Sequence, residues 1–176
     1  MSENRIDPTV AGLFLTAFIT LVFGFVGILT YGKVDGASAL TAATLAMSSV
    51  VGLVFLVLTV SAIRFGNAFA ASLFGFIGVA LVGATVGLTA GSAYLFFIIA
   101  IVFIVFALVA LLVGAPKLLM ILLFFVALIY LFVGLFVNAA DPESVFALVF
   151  GLFGVLAGVL ALYMAFALST QKLPVF

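Results

Sequence analysis

Charge is confined to the gaps in this chain. Of its 176 residues only ten are charged, five Lys or Arg and five Asp or Glu, and nearly all sit in short breaks between long apolar runs. A water-soluble domain of this length keeps itself dispersed with a charged surface, and here hydrophobic residues make up 69% of the whole. The bilayer is therefore the solvent. Each run is long enough for a transmembrane helix, which needs roughly 20 apolar residues. A membrane barrel would show segments of about ten residues with alternating polarity. These runs are longer and apolar on every side, so the fold class is all-α, a polytopic bundle of six transmembrane helices.

The expected spans are 10–31, 39–63, 68–90, 93–113, 118–138 and 145–168. They account for most of the chain as a single transmembrane domain. The polar stretch 1–9 carries no separate apolar run, so no cleavable leader is expected. The boundary between the third and fourth spans is the least distinct, because only Gly91-Ser92 divides them. Arg5, Arg64, Lys117 and Lys172 fall on one side of a six-span topology and only Lys33 on the other. That bias places both termini in the cytoplasm, with the plasma membrane as the expected location. Three spans in each half fit the arithmetic of an inverted repeat, although the halves share no clear internal match.

Composition narrows the chemistry. Cysteine and histidine are both absent, which removes disulfides, thiolate metal sites and the usual proton shuttle. Zero net charge gives no reason to expect nucleic acid. No ionisable residue with Asp, Glu, Lys, Arg or His chemistry lies deep in a span, where proton relays and ion-coupled pumps carry them. Ser and Thr have no His or buried Lys to activate them. Neither an enzyme nor a metal or other cofactor is expected.

A sparse set of hydroxyls remains. Thr16 and Thr20 stand one turn apart on the first span, and Thr41, Thr44 and Ser48 share a face of the second. Ser72, Thr85 and Thr89 mark the third, and Asn138 ends the fifth. These groups either line a solute path or bond their own helix carbonyls and hold helices together. Glycines recur every four residues at Gly83, Gly87 and Gly91, and again at Gly154 and Gly158. They read as close-packed seams or as a backbone-lined passage. Asp7 is placed to cap the first helix with Pro8 as its first residue. Gly66 permits a tight turn from which Asn67 caps the third helix, and Ser144 is placed to cap the sixth.

In this order on six spans, the motifs resemble those of the acetate uptake transporter family, also called succinate–acetate permeases. That family opens its first helix with Asn-Pro-x-Pro-Leu-Gly-Leu. The stretch Asp7-Pro8-Thr9-Val10-Ala11-Gly12-Leu13 matches at Pro8, Gly12 and Leu13, and departs at Asp7, Val10 and Ala11. Gly66-Asn67-Ala68-Phe69 is similar to the family's Gly-Asn-Thr-Phe turn, and Leu173-Pro174 to its tail. The resemblance implies a homo-oligomer, a hexamer, in which each protomer has its own path for acetate, related monocarboxylates or succinate, with proton linkage. It also implies an apolar constriction from the first, third and fifth helices. Aligned by the two motifs, the constriction falls at Thr16, Ile77 and, where no motif fixes the register, Phe125 or Leu128. Thr16 replaces an aromatic, for which Phe18 or Phe14 would have to substitute. Asn67 joins Thr16, Thr20, Thr41, Thr44 and Ser48 as the expected path. Two other readings stay open: a channel for small neutral solutes such as urea or amides, and a structural membrane protein that transports nothing.

Overall fold

The structure, a computed structural model, describes residues 7–34, 37–90, 92–139, 145–170 and 174, with side chains left aside at 37–40 and 89–90. Six helices make up the described chain: α1 (Pro8–Tyr31), α2 (Ala37–Arg64), α3 (Ala68–Ala90), α4 (Ala93–Leu112), α5 (Lys117–Ala139) and α6 (Val145–Thr170). Each is long and apolar enough to cross a bilayer. Their ends fall within two residues of the runs read from sequence. None of the six has an internal proline; Pro8 opens α1 and Pro116 immediately precedes α5.

Helix ends follow from local chemistry. The Asp7 carboxylate accepts the Thr9 backbone N–H at 2.8 Å, with Pro8 as the first helical residue. The Asn67 side-chain oxygen accepts the Ala70 N–H at 3.0 Å and caps α3. Between them α2 ends in a wrapped turn. Gly66 takes φ +73°, its N–H donates to Ile63 O, and that of Asn67 donates to Ala62 O, both at 3.0 Å. Gly114 repeats the arrangement after α4, at φ +70°. After α1 the glycine comes one residue early, so Lys33 takes the left-handed position at φ 55°. Ser92 makes no side-chain cap, and its N–H folds back to Gly87 O at 2.9 Å. Gly91 and residues 140–144, Ser144 among them, lie outside the described residues, as do Arg5, Lys172 and the side chain of Thr89.

The helices form a closed ring in which each packs on its neighbours in sequence and α6 returns to α1. Contact is most extensive between α1 and α6 and thinnest between α3 and α4. An inverted repeat would equate those two seams, and the bundle does not treat them alike. At the α1–α6 seam the backbones touch. A Cβ on Gly154 would lie 2.6 Å from the Gly24 Cα, and one on Gly24 would lie 2.7 Å from the Val155 nitrogen. Gly52 and Gly78 play the same part between α2 and α3. The Gly83 and Gly87 stripe instead meets side chains of α4: a Cβ on Gly83 would lie 3.7 Å from Leu95, and one on Gly87 3.1 Å from Leu95 and 3.3 Å from Phe96. There the helices stand apart and phenylalanines fill the gap, with Phe76 against Phe103 (5.1 Å) and Phe106 (5.5 Å). Large apolar side chains such as Val57, Ile101 and Leu156 turn outward, as lipid-facing positions do.

Candidate functional site

Inside the ring lies an elongated cavity of about 350 Å³, in the size range of small-molecule sites. Three helices supply most of its wall. α1 contributes Leu13, Thr16, Ile19, Thr20 and Phe23, a stripe at helical spacing. α3 contributes Ala70, Leu73, Phe74, Ile77, Leu81 and Ala84, and α5 a matching stripe from Leu119 through Leu122, Val126 and Tyr130 to Val133. Phe96 and Phe103 of α4 and Met164 and Leu168 of α6 complete the enclosure. At one end the lining includes Asp7 and Asn67, both exposed, so the cavity reaches the surface there. Its deepest lining residues, Ala84 and Val133, stand about 24 Å along their helices by the rise per residue. Beyond them Phe150 of α6 packs edge-on against Phe136 of α5 at 5.8 Å and lies on Gly27 of α1, drawing three helices together.

The wall is apolar with few exceptions, and among the described residues no Lys or Arg lines it. Asp7 at the mouth is the one carboxylate among the described lining residues, already engaged as a cap. The Thr16 hydroxyl donates to Gly12 O at 2.8 Å and the Thr20 hydroxyl to Thr16 O at 2.7 Å. Both hydroxyl protons are thus turned back on α1, and what remains for a solute is oxygen lone pairs. Tyr130 stacks its ring on Phe103 (5.5 Å, 12°) and Phe96 (6.5 Å, 22°).

Of the residues chosen from sequence, Thr16, Thr20, Asn67, Ile77, Asp7 and Leu13 are on the lining. Pro8 and Gly12 stand behind it. Gly12 is the floor under the Phe74 ring, since a Cβ there would run into Phe74. Phe74 in turn fills the gap between α1 and α3, with Phe55 of α2 behind it at 5.8 Å. This shuts α2 out, and none of its described side chains reaches the cavity. Thr41, Thr44 and Ser48 therefore belong to helix packing in this structure: Ser48 is fully buried and donates to Thr44 O at 2.8 Å. Their neighbour Ser49 meets Thr85 of α3 at 3.1 Å, an interhelical contact between hydroxyls.

The aromatic and aliphatic candidates for the constriction divide. Phe18 is 47% exposed and points outward, because two residues beyond Thr16 is about 200° around a helix. It does not stand in for the aromatic missing at Thr16, and Phe14 is also off the lining, edge-on to Phe166 at 5.3 Å. Phe125 packs against Phe153 of α6 at 5.8 Å, and Leu128 is half-buried on the side of α5 away from Val126; neither lines the cavity. The α5 register instead presents Val126, Ile129 and Tyr130. Tyr130 escaped the sequence reading. Its signal was a tyrosine in the middle of an apolar span, where a phenolic O–H needs a partner.

Comparison with protein-family models, with curated proteins and with solved structures finds no match for this chain.

Proposed function

We propose that this chain is a membrane transporter or channel for acetate and related short-chain carboxylic acids, and that the acid enters the bundle in its neutral, protonated form. The observation that carries this reading is the cavity: apolar, open at one end, sprinkled with hydroxyls and, among the described residues, without a cation on its wall. An unpaired carboxylate in such surroundings costs up to tens of kcal/mol. Protonating an ordinary carboxyl, with pKa near 4.3, costs about 4 kcal/mol at pH 7. Protonation is the smaller cost, so proton linkage follows from the acid carrying its own proton. A dicarboxylate such as succinate pays that cost twice and meets Asp7 at the mouth, so monocarboxylates are preferred.

The motif resemblance at Pro8, Gly12, Leu13, Gly66 and Asn67 supports the same reading and adds a homohexamer with one path per protomer. The bias of basic residues supports cytoplasmic termini in the plasma membrane, which puts the cavity mouth on the cytoplasmic side. The test is uptake of labelled acetate by proteoliposomes against protein-free vesicles, which measure passive leak. Saturable uptake above leak is expected; uptake equal to leak at every pH overturns the proposal. A channel for small neutral amides is the second reading, favoured by the same lack of a cation. Labelled urea and acetamide in the same vesicles distinguish it.

A further inference from the structure

Tyr130 is buried, with 7% of its surface exposed, yet its hydroxyl makes no hydrogen bond among the described residues. No fully buried side-chain oxygen or nitrogen among those residues lacks a partner. The phenol oxygen therefore keeps some accessible surface, and since Tyr130 lines the cavity, the cavity is what it opens on. It lies thirteen residues into α5 from Lys117, about 20 Å along the helix and near mid-membrane. The two stacked phenylalanine rings hold it there, so the hydroxyl is aimed without cost at the moment of binding. The other hydroxyls within the cavity, Thr16 and Thr20, have given their protons to α1 carbonyls. Asn67 and Thr9 are at the mouth.

The deep cavity thus offers one hydrogen-bond donor and two sets of acceptor lone pairs. We infer that the Tyr130 hydroxyl is the specificity-determining donor of this path, and that it binds the carbonyl oxygen of a small neutral solute whose own O–H or N–H faces the oxygen of Thr20, which stands about 18 Å along α1 and so at a similar depth. A neutral carboxylic acid has this pattern, as does an amide; a carboxylate anion, which only accepts, does not. The inference rests on the proposed function in taking the cavity as a solute path. Because acetic acid has very few atoms, its affinity has a low ceiling, and one net hydrogen bond is worth roughly tenfold in occupancy.

The test is Tyr130→Phe, which keeps the ring stack and removes only the hydroxyl. Flux above leak is measured for labelled acetate and, in a second arm, acetamide. In parallel, infrared difference spectra of the purified protein record the tyrosine C–O band as each solute is added. Tyr31, Tyr94 and Tyr163 remain in the variant and serve as its internal background. The expected result is a roughly tenfold loss of flux at low solute concentration, with a solute-induced tyrosine band in the natural protein that vanishes in Y130F. Flux unchanged in Y130F with no such band overturns the inference while leaving transport itself standing. Loss confined to the acetamide arm keeps Tyr130 as the donor and assigns the path to amides. If neither solute exceeds leak, the transport reading fails on its own, and the infrared band alone decides whether Tyr130 holds a solute.

Discussion

Gly154→Ala tests what closes the ring. The added Cβ would lie 2.6 Å from the Gly24 Cα, 2.7 Å from the Gly24 nitrogen and 2.8 Å from Thr20 O. All three are backbone atoms, so no side chain can rotate away. Carbon atoms settle at about 3.5–4.0 Å, so α1 and α6 must part by roughly 1 Å, and a gap of that size forfeits a quarter to a half of each dispersion contact across it. Lipid supplies no hydrophobic drive to compensate. Overpacking of this kind costs about 1–3 kcal/mol, and the most extensive seam in the bundle places Gly154→Ala at the upper end. The assay is reversible unfolding in mixed micelles titrated with denaturing detergent and followed by circular dichroism. Gly66→Ala is the control: its φ is +73° and an added Cβ meets nothing within 4 Å, so its cost is conformational alone, about 1–2 kcal/mol. Gly154→Ala losing no more stability than Gly66→Ala would refute the backbone-contact account of the α1–α6 seam.

Gly12→Val drives Phe74 off its floor and into the cavity, so flux above leak should fall at least tenfold while the protein keeps its elution position in gel filtration. Thr16→Val combined with Thr20→Val removes both acceptor oxygens at constant volume; flux should drop roughly three- to tenfold, and an unchanged flux returns both hydroxyls to helix packing. Uptake should rise about tenfold for each unit that pH is lowered from 8 toward 5, following the neutral fraction of the acid. Its sign comes from the solute: the neutral form is lost as pH rises above the carboxyl pKa. Voltage-driven anion current at high pH would contradict it.

The six helices were legible because apolar runs of spanning length, broken by Gly66-Asn67, Gly114-Ala115-Pro116 and similar punctuation, leave little choice of boundary. The interior was harder to read, for a physical reason. In water a helix shows its inward face by contrast with a polar outside. In lipid both faces of α1 and α5 are apolar, so Phe18, Phe125 and Leu128 looked as suitable as Ile77, Val126 or Ile129. The hydroxyls gave direction on α1 but misdirected on α2, where Thr44 and Ser48 are buried for reasons of packing. Glycine spacing had the same ambiguity. Gly83 and Gly87 repeat as regularly as Gly154 and Gly158, but the tight contact depends on Gly24 and Gly27 standing opposite Gly151 and Gly154. A single helix does not reveal what its partner presents.

The seams also differ in what it takes to open them, and this bears on how a one-ended cavity becomes a path. At the deep end α1 and α6 are locked by backbone contact at Gly27 and Gly151, and Phe150 ties them to Phe136 of α5. Past the Ser92 N–H to Gly87 O bond at their connection, α3 and α4 meet through side chains, with Leu95 3.7 Å from where a Gly83 Cβ would stand. Side chains change rotamer, whereas backbone contacts do not yield without moving a helix. The far mouth should therefore open between α3 and α4. The chain has no cysteine, so a pair introduced at Gly83 and Leu95 reports this seam alone. Joined by a short thiol crosslinker, the pair should abolish flux above leak, and cleaving a reducible linker should restore it. Full flux with the seam locked would place the opening elsewhere in the ring.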